Sequence, residues 1–235
     1  MKQIFDDYVN NSFGAEAQAT RKFGQFTHNY RVFFPDNRDA KVLDIGVGRG
    51  EMLTCMRDWG YKNYIGIDIS PSTIKFCAAL GLNCLQVEDS ERFLLEHAGQ
   101  FDAITLLDVL EHIKKEKVIA FLQALRAGLK PGGVLIIQLP NLQAPDGYLH
   151  RYNDITHEVG YIEHSLAQVL MAAGFEEFTF RGFEEFVFGT PVEWIRKICR
   201  CLHWLAVRAL RAADGNVNPK ILNPVFCAIV YKDKG

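Results

Sequence analysis

Two stretches of this chain hold residue types whose spacing could do chemistry. The first runs V-L-D-I-G-V-G-R-G-E-M-L, from Val42 to Leu53. Gly46, Gly48 and Gly50 allow left-handed backbone and close approach of a ligand. An acid, Asp44, precedes them, and a second acid, Asp68, ends the run Y-I-G-I-D. An acid at the end of a second strand can accept hydrogen bonds from both hydroxyls of a ribose. The second stretch is R-Y-N-D-I-T-H-E, residues 151–158. It crowds Arg151, Tyr152, Asp154, His157 and Glu158 together. A neutral imidazole suits a general base acting on a hydroxyl, because its reference pKa is ~6.5. Arg151 could hold a carboxylate or phosphate bidentately. Glu158 or Asp154 could orient the His157 ring. The plain alternative is a polar loop tied by its own hydrogen bonds. His112 is the rival base, and a histidine beginning a helix can also be only a local hydrogen-bonding group.

These residues need elements to carry them. Val42, Leu43 and Ile45 read as a strand buried on both faces, as in a parallel sheet. The apolar spacing Met52, Leu53, Met56 continues as a helix that Gly60 can end. Residues 64–68 form a second strand. Ser70 and Pro71 then make an N-cap and first helical position, and Gly81 stops that helix. Residues 83–87 read as a short third strand, 101–107 as a fourth, 118–129 as a helix and 134–139 as a fifth strand. Such alternation argues for a doubly wound parallel sheet. Ser165 with Gln168 reads as a capping box. A strand through Phe180 and a last strand over 223–231 complete the set. Residues 1–38 carry Phe5, Tyr8, Val9, Phe13, Phe23, Phe26, Tyr30, Phe33 and Phe34. So many aromatics predict a helical cap packed on the domain, or a lid over the site.

The glycine rhythm is G-x-G-x-G after an acid, with Glu51 where a dinucleotide fingerprint needs another spacing. It resembles motif I of the class I S-adenosylmethionine (SAM) methyltransferases. D-V-L-E-H, residues 108–112, is similar to their segment after strand four, and L-K-P-G-G-V-L to their turn into strand five. The resemblance covers residues 40–182 well and 223–232 loosely. It implies an α/β fold with a doubly wound, mostly parallel seven-stranded sheet whose last strand is antiparallel. A domain over 39–235 would carry a helical insertion at 183–222. It also implies SAM as cofactor, held by Asp44, Gly46, Gly48, Gly50, Asp68, Ile69, Asp89, Ser90 and Asp108. Asp89 would face the adenine amino group, or would serve only as a helix N-cap. R-Y-N-D-I-T-H-E resembles a segment of bacterial methyltransferases of cell-surface polysaccharide synthesis. That implies O-methylation of a sugar or glycan intermediate, with Arg151, Tyr152 and Asp154 against the acceptor and His157, Glu158 or His112 handling its proton. Another small molecule, such as a quinone-type lipid precursor, and a non-catalytic SAM-fold partner are the alternatives.

Composition narrows the rest. A chain of 235 residues suffices for one α/β domain, and 49% hydrophobic content argues against disorder. A formal net charge of −2 gives no overall attraction to nucleic acid. The six cysteines form no C-x-x-C pair, so no metal site is expected from them and a reduced, cytoplasmic setting is. The first residues lack the apolar run of a signal peptide. Over 191–213 a helical wheel sets Trp194, Ile195, Ile198, Leu202 and Leu205 opposite Arg196, Lys197, Arg200, Arg208 and Arg211. That pattern fits packing on the protein itself, a homodimer, or peripheral contact with a membrane.

Overall fold

A computed structural model describes residues 19–233. Of the aromatic cap, Phe5, Tyr8, Val9 and Phe13 lie outside the described residues. The rest of the cap is helix α1 (Ala19–Tyr30) and a 3₁₀ turn at Arg31–Phe33. Phe26, Tyr30 and Phe34 are buried, and Phe26 and Tyr30 pack with Phe183. Eight aromatics in a short stretch therefore include a genuine packing face.

The sheet strands are β1 (Lys41–Ile45), β2 (Asn63–Asp68), β3 (Cys84–Gln86), β4 (Phe101–Leu107), β5 (Leu129–Pro140), β6 (Glu177–Gly182) and β7 (Val225–Tyr231). Their order is β3-β2-β1-β4-β5-β7-β6. The first five are mutually parallel. β7 inserts between β5 and β6 and runs antiparallel to both. Helices α2 (Glu51–Asp58), α3 (Pro71–Ala79), α4 (Ser90–Glu96) and α5 (Val118–Gly128) make the crossovers. Apolar side chains from both sheet faces fill two cores, one around Leu43, Ile104 and Ile137, the other around Val42, Met56 and Ile136. The chain order reverses direction between β1 and β4. A crevice opens there at the carboxyl ends of the strands, the usual ligand position in such sheets.

Two glycines fix the turn after β1 by packing as much as by dihedral. Gly46 has φ 77° and a Cβ there would stand 2.3 Å from Val109 Cγ2. Gly50, at φ 75°, would meet Leu82 Cδ1 at 2.5 Å.

Several boundaries differ from the sequence reading. The expected capping box at Ser165 is displaced: α7 spans Glu163–Ala172, and Ser165 Oγ accepts from the Ile162 N–H at 3.1 Å. Ser165 thus reaches back as the third helical residue, and Gln168 is not its partner. β5 begins at Leu129, so Lys130-Pro131-Gly132-Gly133 lies inside the strand as an irregularity in its pairing with β4. The sixth strand begins at Glu177, after Gly174 takes φ 89°. A short helix α6 (Gly147–Asn153) occupies part of the polar loop, and α8 (Pro191–Ala213) fills the insertion.

Candidate active site

The crevice is a cavity of about 780 Å³. Its wall includes Asp44, Gly46, Gly48, Asp68, Ile69, Ser70, Asp89, Ser90, Asp108 and His112. Of the residues expected to hold a cofactor, only Gly50 is missing from that wall; it starts α2 from a left-handed conformation. The turns after β1, β2, β3 and β4 bring the others together because they all leave the same edge of the sheet.

Asp68 closes the loop on itself. Its Oδ1 accepts from the Ser70 N–H at 2.8 Å and its Oδ2 from the Gly48 N–H at 3.3 Å. Burial raises its pKa, and these backbone donors oppose the rise. Asp44 is 2% exposed and accepts from Thr105 Oγ1 at 2.6 Å. Burial pushes its carboxyl up to about 8, against that hydrogen bond. Asp89 caps α4, accepting from the Arg92 N–H at 2.9 Å, and lines the cavity as well. One residue thus does the capping without leaving the site.

Asp108 takes φ 54°, a conformation that costs a non-glycine residue energy. Gln138 Nε2 donates to its Oδ2 at 2.7 Å, and Tyr30 Oη donates to Gln138 Oε1. The cap helix therefore reaches an acid of the cavity through one glutamine. Enclosure by protein raises the Asp108 pKa, and Lys22 of the same helix opposes it. The sequence reading missed Tyr30, Gln138 and the wall residues Lys22 and Phe26. Only the aromatic crowding hinted at them.

The R-Y-N-D-I-T-H-E loop folds against the D-V-L-E-H segment. The N–H groups of Glu158 and Val159 both donate to the Glu111 carbonyl, at 2.7 and 3.1 Å. Rings of His112 and His157 lie 4.7 Å apart. Thr156 Oγ1 donates to Asp154 Oδ1 at 2.6 Å. Burial would raise the Asp154 pKa, but bonds from the Thr156 hydroxyl and N–H hold it below the usual value. The hydroxyl's one proton is thus committed, so its 2.8 Å contact with His112 Nδ1 is a bond donated by the imidazole. Burial lowers the His112 pKa, so the ring is neutral at pH 7. His157 Nδ1 donates to the His150 carbonyl at 2.7 Å. Its Nε2 lies 4.0 Å from Glu111 Oε1, too far for a direct hydrogen bond.

The order of the two histidines is the reverse of the expectation. His112 is on the cavity wall, whereas His157 stands behind it, outside the wall. Arg151, Tyr152, Asp154 and Glu158 are also outside the wall. Arg151 donates to the Glu158 carbonyl at 3.3 Å, and Tyr152 is 79% exposed. The reason is local: α6 carries Arg151 and Tyr152 away from the cavity wall, Asp154 is spent on Thr156, and Glu158 lies exposed in the loop beyond the helix. Glu111, absent from the expectation, is 3% exposed, and neither carboxyl oxygen finds a partner among the described residues. Burial raises its pKa well above the ordinary value.

The donor set suits SAM. Asp44, Glu51, Asp68 and Asp108 line the cavity with four carboxyls, and a bound cationic sulfonium or ammonium would favour their ionised forms. Asp68 stands on the cavity wall with lone pairs beyond those taken by its two backbone donors, and the glycine turn presents bare backbone to the cavity.

A protein family described as a methyltransferase domain matches residues 17–177. The chain belongs to this family. Among solved structures, the methyltransferase domain is similar to a SAM-dependent methyltransferase from Archaeoglobus fulgidus, at TM-score 0.69 and 23% identity, covering 98% of this chain and 99% of that one. It is also similar to Burkholderia thailandensis 1,6-didemethyltoxoflavin-N1-methyltransferase with bound S-adenosylhomocysteine, at TM-score 0.58 and 16% identity, covering 99% and 85%. These likenesses concern the fold. A curated relative, ubiquinone biosynthesis O-methyltransferase of Xanthomonas oryzae pv. oryzae, is 32% identical over 111 residues, 45% of each chain. The matched region spans less than half of such relatives. Their name concerns a quinone, whereas the loop resemblance pointed to polysaccharide synthesis. SAM is the cofactor of this methyltransferase domain.

Proposed function

We propose that this methyltransferase domain methylates a hydroxyl group of a small acceptor, with His112 as the base. Bound SAM supplies an activated methyl group to the acceptor oxygen. The chain's own part is to hold the acceptor against the cavity and to take its proton. One observation carries this reading: His112 lies on the cavity wall with Nδ1 held by Thr156 and Asp154. The arrangement fixes the orientation of the ring at the cavity wall, where burial favours its neutral, proton-accepting form. A hydroxyl keeps its proton at neutral pH, so a positioned base contributes about 10²–10⁴-fold. His157 packs on the His112 ring and is a positioning residue in this reading, not the base.

The acceptor we favour is a sugar or glycan intermediate, on the strength of the R-Y-N-D-I-T-H-E resemblance. The second reading is a quinone-type lipid precursor, favoured by the names of the curated relatives. Mass spectrometry of a panel of glycans and phenolic lipid precursors, incubated with the protein and SAM, separates them. A methyl ether on a sugar hydroxyl supports the first reading, and one on a phenol supports the second. Methylation at nitrogen, or none on any hydroxyl of the panel, would count against oxygen transfer itself.

A further inference from the structure

We propose that the outward face of α8 docks on an anionic lipid bilayer. This helix is mounted the opposite way from an ordinary surface helix. Its charged side faces the protein. Glu193 is buried, and Arg200 pairs with Glu184 at 2.8 Å while stacking on Phe186 and Trp204. Arg208 and Arg211 donate to the carbonyls of Lys220 and Val217, holding the returning chain. The apolar side faces outward. Trp194, Ile195, Ile198, Leu202, Leu205 and Leu210 are each between 59% and 69% exposed. The helix has 23 residues, so this stripe is about 35 Å long. Such a continuous exposed apolar face marks an interaction surface.

Charge decides among occupants. α8 carries five cations and one acid, in a chain whose net charge is −2. Arg200, Arg208 and Arg211 are spent on the protein, which leaves Arg196 and Lys197 as the charges that an occupant of the outward face can meet. Arg196 is exposed although it stacks on Phe186, and Lys197 lies over the exposed Trp194 ring, so both can reach headgroups beside an in-plane helix; Trp194 is a residue type favoured at that depth. The helix is long enough to lie along a bilayer, while no helix among the described residues is long and apolar enough to cross one.

The placement also relates to the cavity. The segment leading into α8 clasps the cap helix: Asn29 Nδ2 donates to the Glu184 carbonyl at 2.9 Å, and Gln25 Nε2 to that of Glu185 at 3.0 Å. The same cap helix supplies Lys22 and Phe26 to the cavity wall. A bilayer under α8 would lie next to the helix that covers the site.

The test is co-sedimentation of the full chain with phosphatidylcholine vesicles, with and without phosphatidylglycerol. Binding is expected to the anionic vesicles at low salt and to fall as salt rises. Arg196→Glu with Lys197→Glu should reduce it roughly tenfold or more. Leu202→Glu with Leu205→Glu should abolish it while SAM binding, measured by calorimetry, stays unchanged. No binding of the wild type to anionic vesicles at low salt overturns the proposal. So does equal binding to both vesicle types. A dimer in velocity sedimentation, dissociated by the leucine pair in a protein that ignores vesicles, overturns it too and makes this face a contact between copies.

Discussion

Replacing Asp44 by asparagine should make the protein more stable and less able to bind its cofactor. The carboxyl is buried, its one side-chain hydrogen bond comes from Thr105, and its pKa stands at about 8 in the fold against 3.8 for an ordinary aspartate. Between those values the folded chain holds a proton that the unfolded chain has released. Stability therefore falls as pH rises from about 4 to about 8, and is flat above. The full span corresponds to ~6 kcal/mol, and the part accumulated by pH 7 to about 4 kcal/mol. An asparagine keeps the shape of the protonated acid and carries no such cost. Urea unfolding of both proteins across this pH range is the assay. The stability advantage of Asp44→Asn should be near zero at pH 4 and should grow to a few kcal/mol at pH 8. SAM titration of the same samples should show affinity lowered roughly tenfold or more, because the variant cannot ionise against a cation. Parallel pH profiles would refute the reasoning about burial. Undiminished affinity would refute the role assigned to the charge.

Asp68→Asn should also weaken SAM binding, roughly tenfold to a hundredfold by calorimetry, if the oxygen that accepts from the Gly48 N–H also takes the ribose hydroxyls expected of it, since one accepting oxygen becomes a donor. Gly46→Ala should lower thermal stability by ~2 kcal/mol or more, because its Cβ collides with Val109 at a left-handed φ. Thr156→Val should cut kcat by roughly tenfold without changing SAM affinity, through loss of the His112 Nδ1 contact, and Thr156→Ser should restore it.

The parallel core and the residues of the cavity wall were legible because they rest on local signals. Buried parallel strands read as apolar runs, and the glycine turn and Asp68 each announce themselves within a few residues. Position along the sheet then follows from topology alone. The histidine pair was harder. His112 and His157 are far apart in sequence, and which one faces the cavity depends on how α6 turns the loop. No periodicity encodes that. Gln138 and Tyr30 were invisible for a similar reason: a glutamine in a buried strand reads as an oddity until the cap helix is seen above it. Gly66 reads as an ordinary strand residue, yet a Cβ there would stand 2.5 Å from Val47 Cγ2 and 2.7 Å from Leu53 Cδ1. The α8 wheel was legible as amphipathic, but its outward apolar face was not, since sequence sets the two faces and only packing chooses which is turned inward.

The most direct test of the account is the pH dependence of methyl transfer to a hydroxyl acceptor by the wild type and by His112→Ala. The base must be unprotonated, and burial lowers the His112 pKa below 6.5. The wild-type rate should therefore rise on the acid side of pH 6.5 and be flat above it. His112→Ala should lose that limb and fall by about 10²-fold or more on the plateau while SAM affinity is retained. A His112→Ala protein that keeps the wild-type rate and the same pH profile would contradict the assignment of His112 as the base.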